Sequence, residues 1–472
     1  MIYVRLAKNA RETILVKAVR IVKTLIVLTS VLFFAPKSGS GSPAEQRLIN
    51  LDNGLRVYLY SSRAIPLVTI AAGFDAGVKH ETPETNGLIH LIEHCLLFRS
   101  SPEGGQKPGV AFNNAGAYFN AYTGRDLTIF EISAQPDEIK ALLVPFRELI
   151  FSFDLAKEEF EAEKKVILEE INQIKDDPFR FGLEYVSNRV FEGHPYSLPV
   201  YGNPEVIKNL SMDKVISFYR ENYLPSRCVL AVTGDFGLEA MEKAVRQVFG
   251  PLEKSAVSYS EVPMVESPKK QPPFKETMDT ANAHLFLALP APDFNSSDQY
   301  AIDVLTEILG RGANPLLLTA MRGRGNFPLV LNMYYLADLH GGAIIIYEKL
   351  EAGNVQTAKN VLTAYLKNVA NESFSASDFS GPEKYQAFDF LEGAKSAIAR
   401  EAAGTEESGL RLAESLVRFL LLNKRENPAA YLDQIMKIKS SDLRKAAFQY
   451  LAKGRPVVLT IMPAKSTGDG QK

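Results

Sequence analysis

The chain has few cysteines and no excess of basic residues. Only Cys95 and Cys228 are cysteines among its 472 residues, so the sequence encodes neither a disulfide framework nor a CxxC metal knuckle. Its formal net charge is −2, whereas binding to a phosphate backbone needs a clustered basic surface. These shortages exclude a disulfide scaffold and exclude nucleic acid as a partner.

Neither cysteine is a candidate nucleophile. Cys95 follows His94 directly, and one further position on a helix turns a side chain by about 100°, which favours packing in the core over metal binding. Cys228 lies in the apolar run 227–232 and is predicted to be a strand residue. Both thiols are therefore predicted to be buried.

Long apolar runs are also missing, and the longest near the amino terminus covers only residues 24–35. A membrane span needs about 20 apolar residues. Basic residues precede this run, and Pro36 and a Ser/Gly tract at 38–42 follow it, which is typical of a secretion signal. We therefore predict a signal or anchor segment with a linker over 1–42, and a secreted or periplasmic protein. An uncleaved membrane anchor and a mitochondrial presequence stay open as alternatives.

Histidine is scarce, yet two of the six histidines lie in the pentamer His90-Leu91-Ile92-Glu93-His94. Residues four apart on a helix share one face, so both imidazoles can bind one ion, and Glu93 borders that face. Two histidines, a carboxylate and an open water position suit a catalytic zinc site. Zinc lowers the pKa of a bound water to about 7, and a neighbouring carboxylate can then take its proton. The alternative is a helix that carries these residues by accident.

A third metal ligand is expected in the glutamate-rich helix predicted over 157–175. Its apolar side is predicted from the spacing of Phe160, Val166, Ile167 and Ile171. Glu163 and Glu170 border that side seven residues apart, nearly two full turns, so both can face one site. Glu169 competes with Glu170, but it points about 100° away on an ideal helix.

The chain is predicted to divide into two similar halves. Residues 253–276 lose periodicity and carry four prolines, which predicts a linker between domains at 47–252 and 277–466. Both halves end in the same order: a helix that begins at Ser211 or Ser440, a Tyr-Leu pair and a strand. This order indicates an internal duplication.

The remaining pattern mixes strands and helices without regular βαβ alternation. Strands are predicted over 67–72 and 127–133, and helices over 86–97, 137–151 and 157–175. We therefore predict an α+β fold with mixed, mainly antiparallel sheets and flanking helices.

These motifs resemble the inverzincin metallopeptidases, the family of pitrilysin, insulysin and the mitochondrial processing peptidase. The resemblance spans nearly all of the chain after residue 42. It rests on the pentamer and on the following blocks: Glu163 to Glu170 with Asp176-Asp177-Pro178, Asn120-Ala121-Tyr122-Thr123 with Asp126 and Thr128, His194-Pro195-Tyr196, and Asn222 to Asp235.

The resemblance implies two homologous α/β-roll domains, the second without zinc, which pair into a dimer around a closed chamber. His90, His94 and Glu170 would bind one zinc ion per chain, Glu93 would be the general base, and Glu163 would support the ligands. Asn120 and Ala121 would lie on the sheet edge that binds the substrate peptide.

One position departs from the family pattern. Active members usually carry an arginine and, seven residues later, a tyrosine, which together bind the substrate carbonyl and the oxyanion. Arg322 fits the arginine, but position 329 is leucine. Either a shifted loop presents Tyr334 or Tyr335, or the tyrosine is lost and a homologous partner chain supplies the pair. Whether the dimer is a homodimer or a heterodimer stays open.

The first hypothesis is a zinc-dependent endopeptidase that hydrolyses peptides or unfolded segments inside the chamber, with Glu93 activating a zinc-bound water. The alternatives are a non-catalytic or co-catalytic subunit of a heteromeric peptidase, and a peptide-binding scaffold on the same fold.

Overall fold

A computed structural model describes residues 44–98, 108–254, 261–266, 271–312, 314–325, 328–378, 389–422 and 430–464. The predicted signal or anchor segment at 1–42 and parts of the predicted linker at 253–276 lie outside these residues. Within them, no helix combines the length and the apolar character that crossing a membrane requires.

The first half forms one sheet of six strands. Its strand order is β1-β2-β6-β3-β5-β4, and every neighbouring pair is antiparallel except β2 and β6. β3, β5 and β6 are buried along their whole length, whereas β4 is half-buried at the edge of the sheet. The strands are β1 Glu45–Asn50, β2 Arg56–Ser61, β3 Val68–Phe74, β4 Tyr118–Thr123, β5 Thr128–Ala134 and β6 Cys228–Gly234.

The second half forms a sheet of five strands in the order β7-β11-β8-β10-β9, with only β7 and β11 parallel. Without β1, the first sheet has the order β2-β6-β3-β5-β4, and the second sheet has the order β7-β11-β8-β10-β9. If the five strands of each half are numbered along the chain, both orders read 1-5-2-4-3. This shared topology agrees with the predicted duplication. The strands are β7 Phe274–Met278, β8 Ala283–Ala291, β9 Val330–Asp338, β10 Gly341–Leu350 and β11 Val457–Pro463.

The predicted fold class, α+β with mixed and mainly antiparallel sheets, is confirmed. β7 begins inside the predicted linker, and the domain limits 47–252 and 277–466 stay predictions. The helices are α1 Leu88–Phe98, α2 Pro108–Asn114, α3 Ile139–Phe151, α4 Lys157–Asp176, α5 Pro178–Val190, α6 Pro204–Asn209, α7 Met212–Asn222, α8 Leu238–Phe249, α9 Gln299–Thr306, α10 Leu316–Arg322, α11 Val355–Asn368, α12 Phe390–Glu406, α13 Gly409–Leu422, α14 Ala430–Lys437 and α15 Ser440–Ala446.

Each half contributes one helix that covers the sheet of the other half. From the first half, α5 packs on β8, β10 and β11, where Val186 and Val190 are fully buried. From the second half, α13 packs on β3 and β6, where Val417 is fully buried. The contacts are close, because a Cβ added to Gly182 of α5 would lie 2.2 Å from the ring of Phe286. The two halves therefore share their cores.

A buried polar junction also ties the halves together. Asp126 accepts hydrogen bonds from the Tyr196 hydroxyl and from the Leu339 amide, the latter at 2.9 Å, in the turn between β9 and β10. The His194 ring lies 2.9 Å from the Pro263 carbonyl oxygen, in the linker region. The His194-Pro195-Tyr196 block and Asp126 therefore hold the second half and the linker against the first half.

Both cysteines are buried as predicted, whereas Val166, which was predicted to lie on the apolar side of its helix, is exposed. Cys95 and Cys228 are each only 1% exposed, and burial raises the pKa of both thiols, which makes them poor nucleophiles. The prediction that Val166 lies on the apolar side of α4 is wrong, because its exposure is 47%. The buried residue nearby is Lys164, whose ammonium group donates to the Leu210 carbonyl at 3.2 Å. A long stem lets lysine pack among apolar neighbours while its head group finds an acceptor.

Candidate metal centre

The three predicted ligands meet between α1 and α4. The Glu170 Oε2 atom lies 3.7 Å from His90 Nε2 and 3.5 Å from His94 Nε2. One ligand atom from each residue lies within 4.8 Å of those of the other two. Ligands about 2.1 Å from a tetrahedral zinc ion are about 3.4 Å apart, so the separations and the donor atoms both fit this ion.

The second nitrogen of each imidazole has its own acceptor. His90 Nδ1 lies 3.3 Å from the carbonyl oxygen of Tyr201, and His94 Nδ1 lies 3.2 Å from Oε2 of Glu163. A proton on Nδ1 that is donated to such an acceptor leaves the Nε2 lone pair free for a metal. Glu163 therefore lies where it can support the His94 ring, which is the role that the family resemblance implies.

The competing ligand is placed elsewhere. Glu169 is exposed and is not part of the group formed by His90, His94 and Glu170. The difference follows from the helix itself, which turns neighbouring residues about 100° apart.

Glu93 lies beside this group and is held by the edge strand of the first sheet. The Thr123 hydroxyl, at the end of β4, donates a hydrogen bond of 2.8 Å to Glu93 Oε2. Glu93 is 6% exposed. Its carboxylate is thus fixed between the histidines of α1 and the strand that carries Asn120 and Ala121.

Burial and the carboxylates together set the protonation of the site. Burial and the charge of His94 lower the pKa of His90. Burial also opposes the charge on His94, but hydrogen bonds to Glu163 and Glu170 outweigh it and raise the pKa of His94 to about 9. Burial opposes the charge on Glu170 as well, yet the hydrogen bond from His94 and the two histidine charges lower its pKa to about 2. The carboxylates therefore favour a positive charge on His94, whereas burial disfavours one on His90.

The predicted substrate residues fall into two groups. Asn120 and Ala121 lie on β4, whose only pairing strand among the described residues is β5. Arg322 is exposed at the last residue of α10 in the second half, outside the group formed by the ligands.

Neither alternative tyrosine replaces the one missing at position 329. Leu329 itself is 60% exposed. Tyr334 and Tyr335 lie within β9 and are 7% and 1% exposed, and the Tyr335 hydroxyl donates to the Pro292 carbonyl at 2.8 Å. The structure therefore places both tyrosines in a strand and not in the loop that the shifted-loop interpretation assumes.

Two contributions to the site were not predicted. The Tyr201 carbonyl is a backbone group, and a backbone acceptor leaves no signature in the sequence. Glu81 is 4% exposed and accepts hydrogen bonds from the amides of Gly87 at 3.0 Å and Ile89 at 2.8 Å, at the start of α1. A helix begins with free N–H groups, so an acidic residue shortly before a predicted start could have been recognised as a candidate cap.

Two sheets of one topology, with an H-x-x-E-H helix beside the edge strand and Glu170 as a third ligand, define a two-domain α/β protein of the metallopeptidase type. The family model described as insulinase (peptidase family M16) matches residues 56–204. The model described as peptidase M16 inactive domain matches residues 209–381. Together they cover more than half of the chain, which belongs to peptidase family M16.

Similar proteins agree with this assignment. The chain is 22% identical over 333 residues to the uncharacterized zinc protease YmxG of Bacillus subtilis, covering 70% of this chain and 80% of that protein. It is 26% identical over 280 residues to the probable mitochondrial-processing peptidase subunit beta of Schizosaccharomyces pombe, covering 57% of this chain and 60% of that subunit. The crystal structure of a protease from Helicobacter pylori shares the fold, with a TM-score of 0.76 and 19% identity over 89% of this chain and all of that one. The relatives' names support a zinc protease at the level of the family.

Proposed function

We propose that this protein is a zinc-dependent endopeptidase that hydrolyses peptides or unfolded protein segments inside a closed chamber. The observation that carries the proposal is the convergence of His90 Nε2, His94 Nε2 and Glu170 Oε2, with the carboxylate of Glu93 beside them. Zinc, when bound by these three residues, supplies a Lewis acid that makes water nucleophilic at neutral pH.

The side chains of this chain supply proton transfer and orientation. Glu93 takes a proton from the attacking water and returns it to the amide nitrogen as the C–N bond breaks. The water oxygen becomes part of the new carboxyl group, and its second proton passes to the released amine, so the products are a carboxylate and an ammonium group and atoms and charge balance. Thr123 holds Glu93, and Glu163 holds the His94 ring, so neither group has to reorganise during the reaction.

The edge strand offers the means to bind an extended peptide. A substrate strand can add to β4 through backbone hydrogen bonds, which select for extended backbone rather than for particular side chains. Because Thr123 ends β4 and contacts Glu93, a peptide bound along Asn120 and Ala121 leads to the general base. Folded proteins do not present a free strand of this kind, so unfolded segments are the expected substrates.

The proposal is tested by zinc content and peptide cleavage. Purified protein should contain about one zinc ion per chain and degrade an unstructured peptide, and a chelator should abolish cleavage. Glu93→Gln should keep the zinc and lower kcat by at least about 100-fold, because general base catalysis contributes this much. Glu169→Gln, on the same helix as the ligand Glu170 but exposed, is the matched control. Protein that lacks zinc, or cleavage that survives Glu93→Gln, would contradict the proposal.

A second candidate function is that of the zinc-bearing subunit of a heteromeric peptidase. It is supported by the exposed Leu329 where active members carry tyrosine, and by the burial of Tyr334 and Tyr335. The S. pombe relative is by its name one subunit of an assembly. Under this proposal the purified chain binds zinc but cleaves slowly, and cleavage rises when a homologous chain with the Arg/Tyr pair is added. Zinc binding with no cleavage under either condition would favour a peptide-binding scaffold.

The place of action is proposed from the amino terminus alone. The basic stretch and the apolar run at 24–35 support export from the cytoplasm, to the periplasm or the medium, or anchoring in a membrane. Cell fractionation followed by mass spectrometry of the mature amino terminus separates these outcomes.

A further inference from the structure

We propose that Glu81 is a positioning residue for His90, which it orients through two separate chains of contacts. The inference rests on the proposed zinc site, and it gives a role to a residue that the family resemblance did not single out. The hydrogen bonds of Glu81 go to Asn86, Gly87 and Ile89, so its effect on the reaction has to pass through these groups.

The first chain of contacts runs through the start of α1. Gly87, the residue before the helix, has a φ of +98°, and a Cβ there would lie 2.8 Å from Ile207. A side chain is therefore excluded where a cap would normally be. Glu81 substitutes for it: Oε2 accepts from the Gly87 amide at 3.0 Å and Oε1 accepts from the Ile89 amide at 2.8 Å. Ile89 directly precedes His90, so the carboxylate fixes the backbone from which the His90 ring projects.

The second chain of contacts runs through Asn86 to the ring itself. Asn86 Nδ2 donates to Glu81 Oε2 at 2.8 Å and also to the Pro199 carbonyl at 2.9 Å. Two residues further along, the Tyr201 carbonyl accepts from His90 Nδ1 at 3.3 Å. The buried side chain of Glu81 thus positions both the backbone of His90 and the carbonyl group that accepts from the His90 ring.

His94 provides an internal comparison, because its ring is held by a side chain of α4. The partner of His94 Nδ1 is Glu163, at 3.2 Å. Disturbing Glu81 should therefore misplace His90 while His94 and Glu170 keep their contacts. A site in which only His94 and Glu170 are well placed binds the metal ion more weakly and with a different coordination geometry. Loss of a residue that supports a ligand typically lowers metal affinity 10- to 100-fold.

The test compares Glu81→Gln with the unchanged protein. The amide of glutamine presents one acceptor where the carboxylate presents two, so one of the two first-turn amides loses its partner. We expect zinc affinity, measured by competition with a chromophoric chelator, to fall about 10- to 100-fold. The visible spectrum of the Co²⁺-substituted protein should change. With saturating zinc, kcat should fall while KM for the peptide stays constant, because β4 is untouched.

Asp389→Ala is the matched control for a merely structural role. Asp389 caps α12 in the second half, accepting from the Glu392 amide at 3.1 Å, and it does not contact the zinc site. Its loss should lower the unfolding temperature and leave zinc affinity and the Co²⁺ spectrum unchanged. If Glu81→Gln behaves in the same way, Glu81 is only a structural cap and the inference is overturned.

Asn86→Ala serves if Glu81→Gln does not fold. It cuts only the second chain of contacts, so a smaller loss of zinc affinity is expected, and an unchanged affinity and Co²⁺ spectrum would overturn the inference.

The proposed activity and the positioning role of Glu81 can fail separately. Unchanged protein that binds zinc without cleaving peptide contradicts the proposed activity, yet the affinity of the Glu81 and Asn86 variants still tests the positioning role. Unchanged protein that binds no zinc contradicts both.

Discussion

At the scale of single residues, Asp75 keeps its charge in a partly buried position because it has several cationic partners. The Oδ1 atom of Asp75 lies 2.7 Å from the Lys79 ammonium nitrogen and 3.4 Å from His80 Nε2. Its Oδ2 atom lies 3.5 Å from the Arg227 guanidinium group. Burial opposes its charge, but the hydrogen bond from His80 and the charge of Lys79 outweigh burial and hold the pKa of Asp75 well below its usual range. Such a carboxylate contributes stability that depends on its ionisation.

We expect Asp75→Asn to lower the free energy of unfolding by about 2 kcal/mol at neutral pH, because it removes the nearest carboxylate of the buried Lys79, which then keeps only Asp126 at 3.6 Å. A depressed carboxylate pKa stabilises the fold above the unfolded value of about 3.9 and ceases to do so as the pH falls through the folded value. Urea unfolding should therefore show a difference between the two proteins that is constant near neutrality and narrows only below about pH 4.

Glu205→Gln is the control for this measurement. Glu205 pairs with Lys208 at 2.7 Å, but both side chains are more than half exposed, so its replacement should change stability by no more than about 0.5 kcal/mol. A difference for Asp75→Asn that stays constant down to pH 3 would show that ionisation of Asp75 is not the cause.

The convergence of the residues at the candidate metal centre was largely predictable, because their spacing on two helices is visible in the sequence. His90, Glu93 and His94 needed only the helical repeat, and Glu163 and Glu170 needed the family register in addition. What escaped prediction were contacts between segments distant in sequence: the carbonyl of Tyr201 and the carboxylate of Glu81. Such contacts depend on how loops return to the site, and spacing along the chain does not encode this.

At the scale of elements, periodicity located helices and strands well but did not show which surface each one covers. The helix predicted over 157–175 is α4, Lys157–Asp176, and the strand predicted over 127–133 is β5, Thr128–Ala134. Val166 was assigned to the wrong face because a branched apolar residue was taken as buried, whereas Lys164 takes a buried position there. The placement of α5 and α13 on opposite halves had no sequence signal at all.

The closeness of α5 to β8 is testable with a pair of glycines. Gly182→Ala should destabilise the protein by about 1 to 3 kcal/mol, because the added methyl group would lie 2.2 Å from the Phe286 ring and would overpack the contact. Gly393→Ala, in α12, adds the same group where nothing lies within 4 Å, and it should stabilise by about 0.5 to 1 kcal/mol through helix propensity. Thermal unfolding of both variants decides the matter, and equal shifts of one sign would contradict this account of the contact.

At the scale of the whole molecule, the two proposed functions differ in whether the segment around position 329 needs a second, homologous chain. Leu329 is 60% exposed, and its backbone is held by a hydrogen bond from its amide to the Lys349 carbonyl at 2.8 Å. A tyrosine can therefore be placed there without displacing the strand. One oxyanion donor is worth roughly 3 kcal/mol in the transition state.

If two copies of this chain form the chamber, Leu329→Tyr should raise kcat by at least about tenfold, because it restores the hydrogen-bond donor that active members have. Leu329→Phe, of similar size but without the hydroxyl, should leave kcat unchanged. The comparison is made with purified, zinc-loaded protein and an unstructured peptide. Equal rates for the tyrosine variant and the unchanged chain would indicate that another subunit provides the donor.

The exchange of α5 and α13 has a consequence for how this molecule tolerates change. In a protein with two independent domains, each domain can change its own core without affecting the other. Here the space for Phe286, in the second half, depends on the absence of a side chain at Gly182, in the first half. The space for Val417, in the second half, depends in the same way on Gly73, in the first half. An enlargement on one side of these two contacts has to be matched by a reduction on the other, so the two halves are constrained to change together there, although the first half also has a core built from its own residues alone.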